Sequence, residues 1–246
     1  MNLVLLEPAE LGAPLPRVDP RARHILDVLR RREGDTFHAG VVDGPIGTAT
    51  LDHIATDALI VSFVPIREPP PLPPITLIVG LPRPPTARDI LRDATTCGVA
   101  AIHFVATERT DPNYATSTIW RDGEWRRHLL VGAAQAFDTR LPVVTWTHTL
   151  GQALTSFGSG AGGEPAVCLA LDNYEAEAHL GRWKPDDPGV TTPIVLALGP
   201  ERGWGPADRA RLRNHGATLL HLGKRVLRVE MAVVAALAIL QARLGE

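Results

Sequence analysis

Leu196-Ala-Leu-Gly-Pro-Glu-Arg-Gly-Trp-Gly-Pro206 and His221-Leu-Gly-Lys-Arg-Val-Leu-Arg-Val-Glu-Met-Ala232 follow one another closely in the chain. Each begins at the end of an apolar run, passes through a glycine-containing turn and leads into a helical pattern. In open α/β sheets, turns at the carboxyl ends of strands are where ligands bind. Glycines remove the Cβ atoms that would keep a ligand away from the main chain. The two segments therefore predict a ligand site built largely from backbone groups, which suits an adenine ring or an amino-acid zwitterion.

The chain from residue 75 onward alternates between strand-like and helix-like runs. Apolar, β-favourable runs lie at 75–79, 101–105, 141–146, 166–171, 193–198 and 217–222. About six strands alternating with helices predict an α/β domain with a mostly parallel sheet covered on both faces. The helix after the first strand is expected to have Thr86 as its N-cap and to end at Cys97 and Gly98. Glycine and proline predict surface loops at 158–163 and 184–192.

A proline-rich segment separates this region from the N-terminal part of the chain. Residues 69–74 read Pro-Pro-Pro-Leu-Pro-Pro, which favours a stiff, extended linker. Before it, β-favourable runs at 36–43, 47–52 and 59–64 and a helical pattern at 21–31 predict a small β-barrel. The predicted organisation is therefore a barrel at 1–68, a linker at 69–74 and an α/β domain at 75–246.

Composition narrows the classes of protein. The chain has 246 residues, a net charge of −2 and two cysteines, Cys97 and Cys168, which lack the spacing of a zinc ribbon. No apolar stretch is long enough to span a membrane, and the first residues lack the basic region of a signal peptide, so we expect a cytoplasmic protein. The nine histidines show no metal-ligand spacing, so no metal is expected.

The two C-terminal segments also carry a resemblance. The order strand, Gly199-Pro-Glu-Arg-Gly203, helix and Leu222-Gly-Lys-Arg-Val-Leu-Arg228 resembles the C-terminal signature of the RsmE family of ribosomal RNA methyltransferases. A weaker match to the family's opening motif is carried by Arg23, His24, Val28, Leu29, Arg30, Gly34 and Asp35. The resemblance implies a PUA-like RNA-binding barrel followed by a SPOUT domain with a trefoil knot. Sequence patterns alone do not yield the knot, because true knots are exceptions to the ordinary topology rules.

The resemblance also implies an activity. Its cofactor is S-adenosyl-L-methionine, its substrate is the 16S rRNA of the small subunit or an assembly intermediate containing it, and the methyl acceptor is N3 of a uridine. A homodimer through the knotted domain is expected, with no membrane partner. The C-terminal helical pattern, Val229 to Leu244, is apolar nearly all round, as in a core or interface helix.

The cofactor is assigned to the two glycine-containing turns and their neighbours. Val226 and Leu227 are expected to sandwich the adenine ring, and Trp204 is kept as a candidate for stacking on a base. Val229 and Met231 replace two threonines of the family pattern, which removes hydrogen bonds worth about 1 kcal/mol each. The implied cofactor-binding residues are Leu171, Leu198, Gly199, Pro200, Glu201, Gly203, Leu222, Gly223, Val226, Leu227, Met231 and Ala232.

Methylation of uridine N3 requires the loss of its proton. A general base, or a cation that stabilises the developing anion on the flanking carbonyl oxygens, would favour that loss. Arg228 is the first candidate for the cation, followed by Arg140 and Arg83, and Glu230 and Glu201 are the nearest acidic candidates. The predicted catalytic residues are Arg228, Glu230 and Arg140. For Glu230, a simpler interpretation is capping, or pairing with Arg228 or Arg225.

Contacts with RNA are expected from arginines. The run from 17 to 32 is rich in arginine, with Asp19 and Asp27 as its aspartates; taken alone, such a run favours a solvated helix face. Only the resemblance makes RNA contact the better interpretation. The implied RNA-binding residues are Arg17, Arg21, Arg23, Arg30, Arg83 and Arg109.

Three alternatives stay open. Asp93, Ala134 and Asp138 depart from the family pattern and favour a divergent paralogue that methylates another RNA. Val229 and Met231 are the support for a non-enzymatic RNA-binding or ribosome-assembly protein. A nucleotide-dependent metabolic enzyme rests on the α/β pattern alone. Binding of S-adenosylmethionine without activity on small-subunit rRNA identifies the first alternative, no binding the second, and binding of another nucleotide the third.

Overall fold

A computed structural model describes residues 3–157, 166–185 and 193–245. The chain divides into two compact units: Met1–Pro71 together with Ala133–Leu141, and Leu72–Gly132 together with Pro142–Glu246. Residues 133–141 therefore group with the N-terminal part, although the sequence prediction put them in the α/β domain. The loop expected at 158–163 lies outside the described residues, as does most of the loop expected at 184–192.

The first unit contains a five-stranded sheet and a short helical segment. Its elements are β1 (Val4–Leu6), β2 (Leu15–Pro16), α1 (Pro20–Arg23), β3 (Thr36–Val41), β4 (Ile46–Ile54) and β5 (Ala58–Arg67). The strand order is β1-β3-β4-β5-β2, with β1 parallel to β3 and the other pairs antiparallel. One turn of π-helix, His24–Val28, continues α1. The helix predicted at 21–31 therefore ends earlier, at Val28. Arg30 lies beyond it and has a φ of 53°, which is outside the helical region.

Arg21 is the centre of a charged cluster in this unit. Its guanidinium donates to the carboxylates of Glu10 at 2.6 and 2.7 Å and of Asp19 at 2.8 and 3.0 Å, and to the carbonyl of Leu5 at 2.9 Å. These bonds use all five N–H donors that an arginine side chain has. No N–H donor of Arg21 is left for a phosphate. The structure therefore contradicts the predicted RNA-binding role of Arg21 and indicates a structural role.

The second unit is an α/β layer structure. Its elements are β6 (Ile75–Gly80), α2 (Pro84–Cys97), β7 (Ala101–Ala106), α3 (Thr118–Arg121), α4 (Glu124–Ala136, whose last residues group with the first unit), β8 (Val143–Thr149), α5 (Leu150–Phe157), β9 (Val167–Leu171), β10 (Ala178–His179), β11 (Ile194–Leu198), α6 (Pro206–Asn214), β12 (Thr218–His221) and α7 (Val229–Leu244). Within the described ranges, its strands form one parallel sheet in the order β10-β12-β9-β11-β6-β7-β8. The predicted mixed α/β fold with a parallel sheet is confirmed.

The centre of this sheet is fully enclosed. Each residue of β11 pairs with β9 on one side and with β6 on the other, and the whole strand is buried. Its continuous apolar sequence is typical of a strand covered on both faces. The core strands therefore hold the segments that follow their carboxyl ends in fixed positions.

Two further predicted boundaries were wrong. The N-cap of α2 is Arg83, and Pro84 and Pro85 form the first turn, where a missing N–H costs nothing; Thr86 lies inside the helix. Strand β8 runs from Val143 to Thr149, later than the predicted 141–146. Among the described residues, no helix has the length and apolar character needed to cross a membrane.

Candidate functional site

The strands β6, β11, β9 and β12 are neighbours, and the segments after their carboxyl ends enclose a cavity of about 590 Å³. This volume lies within the range of roughly 300–1,000 Å³ that is common for small-molecule sites. The position is the one at which open α/β sheets bind ligands. The two glycine-containing turns do not follow adjacent strands, because β9 lies between β11 and β12. The segment after β9 therefore forms a third wall of the same cavity.

Most of the predicted cofactor-binding residues line this cavity. They are Leu171, Leu198, Gly199, Pro200, Glu201, Gly203, Leu222, Val226, Leu227 and Ala232. Gly223 and Met231 are not among its lining residues, and 56% of the surface of Met231 is exposed. The sequence motifs thus identified the two turns, although not each residue's orientation.

The turn from Gly199 to Gly203 packs too tightly for larger residues. A Cβ atom on Gly80, at the end of β6, would collide with Pro200. On Gly199, a Cβ atom would lie 3.0 Å from the Cα atom of Gly203, whose φ of 67° itself favours glycine. The turn therefore lies directly against its neighbours, and its backbone faces the cavity.

The loop after β7 holds the start of α6. The carboxylate of Glu108 accepts hydrogen bonds from the N–H groups of Ala207 at 2.8 Å and Asp208 at 3.2 Å. The Asp208 carboxylate accepts in return from the N–H groups of Glu108 at 3.1 Å and Gly205 at 3.0 Å. These reciprocal bonds satisfy N–H groups that a helix leaves unpaired at its first turn.

Arg109 adds to this support. Its guanidinium donates to the carbonyl of Arg202 at 2.7 Å, inside the turn after β11. The predicted contact of Arg109 with RNA stays a prediction, and in the structure this residue fixes the wall of the cavity.

A buried ion pair joins the segment after β9 to α6. The Arg209 guanidinium lies 2.8 Å from the carboxylate of Asp172, and only 7% and 2% of the two side chains are exposed. The other oxygen of Asp172 accepts from the N–H groups of Tyr174 at 2.7 Å and Glu175 at 2.6 Å. The pair thus fixes both the helix and the turn that carries Tyr174.

Several charges at the cavity are paired. Glu201 accepts from the backbone N–H of Arg83 at 3.1 Å and from its guanidinium at 3.4 Å. Asp89 lies 3.1 Å from Arg92. Arg83, which was predicted to contact RNA, therefore lines the cavity and is paired with a predicted cofactor residue.

Arg228 and Glu230, both predicted to be catalytic, line the same cavity. Arg228 is exposed and is the N-cap residue of α7, whereas Glu230 lies in the first turn and is half-buried. In the described part of the chain, neither side chain has a hydrogen bond or ion pair, so the simpler interpretation of Glu230 as a partner of Arg228 or Arg225 was wrong. Both groups are available to a substrate.

Arg140 belongs to the other compact unit. Its guanidinium donates to the carbonyls of Pro70 at 2.9 Å and Pro69 at 3.3 Å, and its catalytic role stays a prediction. Arg17, Arg23 and Arg30 are exposed in that unit, and their contacts with RNA also stay predictions.

Trp204 and Tyr174 are two aromatic residues of the cavity with different exposure. Trp204 is 1% exposed and donates from its indole to the carbonyl of Leu171 at 2.9 Å. It is a core residue, so the expectation that it stacks on a base was wrong. Tyr174 is 75% exposed and was not predicted, because no motif marks it.

Asp138 also has a structural contact. Its carboxylate accepts from the N–H groups of Thr139 at 2.6 Å and Arg140 at 3.0 Å. Asp93 pairs with Arg92 at 2.7 Å. Two of the departures from the family pattern are therefore engaged within the chain.

The described residues contain no group of three or more metal-ligating side chains.

Comparisons of the sequence with known proteins agree along most of the chain. Residues 68–241 match the family described as an RNA methyltransferase domain. The ribosomal RNA small subunit methyltransferase E of Treponema pallidum is 31% identical over 247 residues, which span 98% of this chain and 91% of that protein. The protein of the same name from Synechocystis is 29% identical, over 99% of this chain and 78% of that protein.

Solved structures share the fold. The ribosomal RNA small subunit methyltransferase E of Neisseria gonorrhoeae, bound to S-adenosyl methionine, aligns with a TM-score of 0.75 and 24% identity, over 98% of this chain and 97% of that one. A probable rRNA-methyltransferase from Porphyromonas gingivalis aligns with a TM-score of 0.77 and 18% identity, over 100% and 99% of the two chains. The likeness in fold extends over both units.

Proposed function

Because the chain belongs to the ribosomal RNA small subunit methyltransferase E family, we propose that it methylates N3 of a uridine in the 16S rRNA. It is an S-adenosylmethionine-dependent methyltransferase of small-subunit rRNA. The observation that supports the site is the strand-end cavity, since Leu198 to Glu201 and Val226 to Leu227, from two separate motifs, line one space.

The cavity fits S-adenosylmethionine. The half-buried Leu171, Leu222 and Leu227 offer an apolar surface to an adenine ring, and the backbone of the turn at Gly199 offers polar groups to the ribose and amino-acid parts. We propose that the Glu201 carboxylate, which accepts a hydrogen bond from the N–H of Arg83, also accepts hydrogen bonds from ribose hydroxyls. When bound, the cofactor supplies a methyl group on a sulfonium, which is a good leaving group. We propose that these residues hold it.

The remaining chemistry belongs to the protein and the RNA. In the proposed reaction N3 of uridine loses its proton and forms the new N–CH₃ bond, while the S–CH₃ bond breaks and its electron pair stays on sulfur. Arg228 stabilises the negative charge that develops on the uracil oxygens, and Glu230 accepts the N3 proton, either directly or through water. Their lack of partners in the described residues supports these roles. Arg140 is a further candidate for the cation.

The architecture and location are proposed as follows. The five-stranded unit is a PUA-like barrel that holds RNA through Arg17, Arg23 and Arg30, and the second unit is a SPOUT domain with a trefoil knot. Because the proposed substrate is ribosomal RNA, we propose a cytoplasmic location. We also propose a homodimer through the knotted domain. The exposed face of α7, with Met231 at 56% and Val234 at 37% exposure followed by Ala238 and Ala242, supports this, because water-exposed apolar side chains favour association.

Methyl transfer tests the proposal. Purified protein is incubated with labelled S-adenosylmethionine and small-subunit rRNA, both free and within ribosomal subunits, from cells that lack this gene. The proposal predicts one labelled 3-methyluridine after nucleoside analysis. Label on another base, or on another RNA only, contradicts it and supports the divergent paralogue. Light scattering of the same protein tests the dimer.

A further inference from the structure

Tyr174 combines high exposure with a fixed backbone. Tyr174 lines the cavity, and 75% of its surface is exposed. Its N–H donates to Asp172 at 2.7 Å, and the ring centroid lies 5.4 Å from the guanidinium carbon of the buried Arg209. A Cβ atom on Gly203 would come within 3.8 Å of the ring. The ring therefore lies beside Arg209 and Gly203 and leaves most of its surface open to a flat ligand.

The unpaired charges that line the cavity are mostly positive among the described residues. Arg202, Arg225 and Arg228 line the cavity and are exposed, and none of them has a side-chain partner in the described residues. The acidic groups of the cavity are largely neutralised, since Asp89, Asp172 and Glu201 each pair with an arginine. Glu230 is the remaining acid in this lining without a partner among the described residues. The lining of the cavity therefore has more unpaired arginine side chains than unpaired carboxylates among the described residues.

The inner and outer parts of the cavity differ in character. Leu198 and Trp204 are buried and Leu171 is half-buried, whereas Tyr174 and the three arginines are exposed. The apolar inner wall suits the adenine of the cofactor. An exposed aromatic ring among free cations suits a single-stranded nucleic acid, whose bases stack and whose phosphates bind arginine.

From these contacts we infer that Tyr174 stacks on the acceptor nucleobase of the RNA, while Arg202 and Arg225 bind the phosphates on either side of it. The inference rests on the proposed function and adds the residue that receives the base. An enzyme that acts on a base must take it out of its stack, and stacking on an aromatic side chain offsets that cost. The Asp172–Arg209 pair keeps the ring in position.

Three variants test the inference: Tyr174→Ala, Tyr174→Phe and, as a matched control outside the cavity lining, Tyr114→Ala. The Michaelis constant for small-subunit rRNA is measured together with the dissociation constant for S-adenosylhomocysteine. Loss of one base–aromatic stack corresponds to on the order of 5- to 150-fold. We expect Tyr174→Ala to raise the Michaelis constant for the rRNA by that factor. Tyr174→Phe and Tyr114→Ala should keep a Michaelis constant near that of the wild type. Affinity for S-adenosylhomocysteine should be unchanged in all three.

The outcomes separate this inference from the proposed function. If Tyr174→Ala weakens S-adenosylhomocysteine binding by the same factor as it raises the Michaelis constant for the rRNA, the ring belongs to the cofactor site and the inference is overturned. An unchanged Michaelis constant for the rRNA in Tyr174→Ala also overturns it. If the wild type binds S-adenosylhomocysteine but transfers no methyl group to the rRNA, the proposed function fails instead. Tyr174 is then judged by fluorescence anisotropy with a labelled, uridine-containing RNA decamer in the presence of S-adenosylhomocysteine. Equal affinity of wild type and Tyr174→Ala for that RNA overturns the inference.

Discussion

The carboxylate of Asp172 and the guanidinium of Arg209 form an ion pair at 2.8 Å, with 2% and 7% of their side chains exposed. The pair joins the end of β9 to α6, and both its partners come from segments next to the cavity. Burying two charges is costly, but once they are paired, removing one partner is worse, because the other stays buried and unpaired. The stability of the site therefore depends on the pair as a unit.

Asp172→Ala or Arg209→Met alone should lower the free energy of unfolding by about 3–5 kcal/mol. The double variant should lose less than the sum of the two, since it leaves no buried charge. Urea denaturation at neutral pH measures all three. Arg121 and Asp122, an ion pair at 2.9 Å with 67% and 55% of its side chains exposed, provide the control, and removing either should cause no measurable change. Additive losses in the double variant at 172 and 209 would show that the two side chains do not act as a pair.

The Arg21 cluster predicts a loss of stability in acid. Hydrogen bonds from Arg21 lower the pKa of Glu10 below 4.5 and that of Asp19 below 3.8. A carboxyl group with a lowered pKa in the folded state contributes stability above its unfolded pKa, and this is lost as pH falls through the folded value. Urea midpoints measured from pH 6 to pH 2.5 should therefore fall in the wild type below about pH 4.5. Arg21→Gln should be less stable at pH 6 and should show a shallower fall. Equal slopes would contradict this interpretation.

His103 predicts a second pH dependence, at higher pH. Burial, with a smaller effect from His148, lowers its pKa from 6.5 to about 4. The ring stacks on Phe157 at 3.7 Å between centroids and lies 2.9 Å from the Thr145 hydroxyl. Between pH 6.5 and 4 the unfolded chain binds a proton that the folded chain does not, so stability falls as pH falls through this range.

The test compares His103→Gln with His215→Gln, an exposed position after α6. In His103→Gln, the free energy of unfolding should fall less between pH 6.5 and 4 than in the wild type. The contribution of His103 to that fall in the wild type is on the order of 3 kcal/mol. His215→Gln should keep it. A decline of the same size in His103→Gln would assign it to other groups.

Arg228 should act on the chemical step. If its guanidinium stabilises the developing anion, Arg228→Gln should reduce kcat by on the order of 10²–10³-fold, with little change in affinity for S-adenosylhomocysteine. Arg140→Gln, in the other unit, decides between the two candidates in the same single-turnover assay. A larger loss of kcat in Arg140→Gln than in Arg228→Gln would identify Arg140 as the cation that stabilises the developing anion.

The sequence predicted the parts of the site that depend on local chemistry. Glycine and proline indicated the turn at Gly199 and Pro200, and the structure shows why glycine fits there, since a Cβ atom on Gly199 would lie 3.0 Å from Gly203. Apolar runs identified the core strands, since a parallel sheet buried on both faces leaves little choice of residue. The similar order of motifs in a known family then connected the two turns to one cofactor.

Contacts between distant residues were not predictable in the same way. Asp172 and Arg209 are 37 positions apart, and nothing in either local pattern marks them as partners. Arg21 looked like a surface cation because its neighbours in sequence are charged, whereas Glu10 and Leu5 reach it only in the folded chain. The exposed Tyr174 lies at the cavity because β9 runs between β11 and β12, an order that the sequence does not contain.

Calorimetric titration with S-adenosylhomocysteine tests the central claim, that the strand-end cavity holds the methyl donor. Gly199→Trp should abolish binding, because a side chain there meets Gly203 at 3.0 Å and pushes the turn into the cavity. Gly151→Trp, in α5 with no neighbour closer than 4.0 Å, is the control and should bind like the wild type. Circular dichroism confirms that each variant is folded. Undiminished binding in folded Gly199→Trp, or no binding by the folded wild type, would contradict the account.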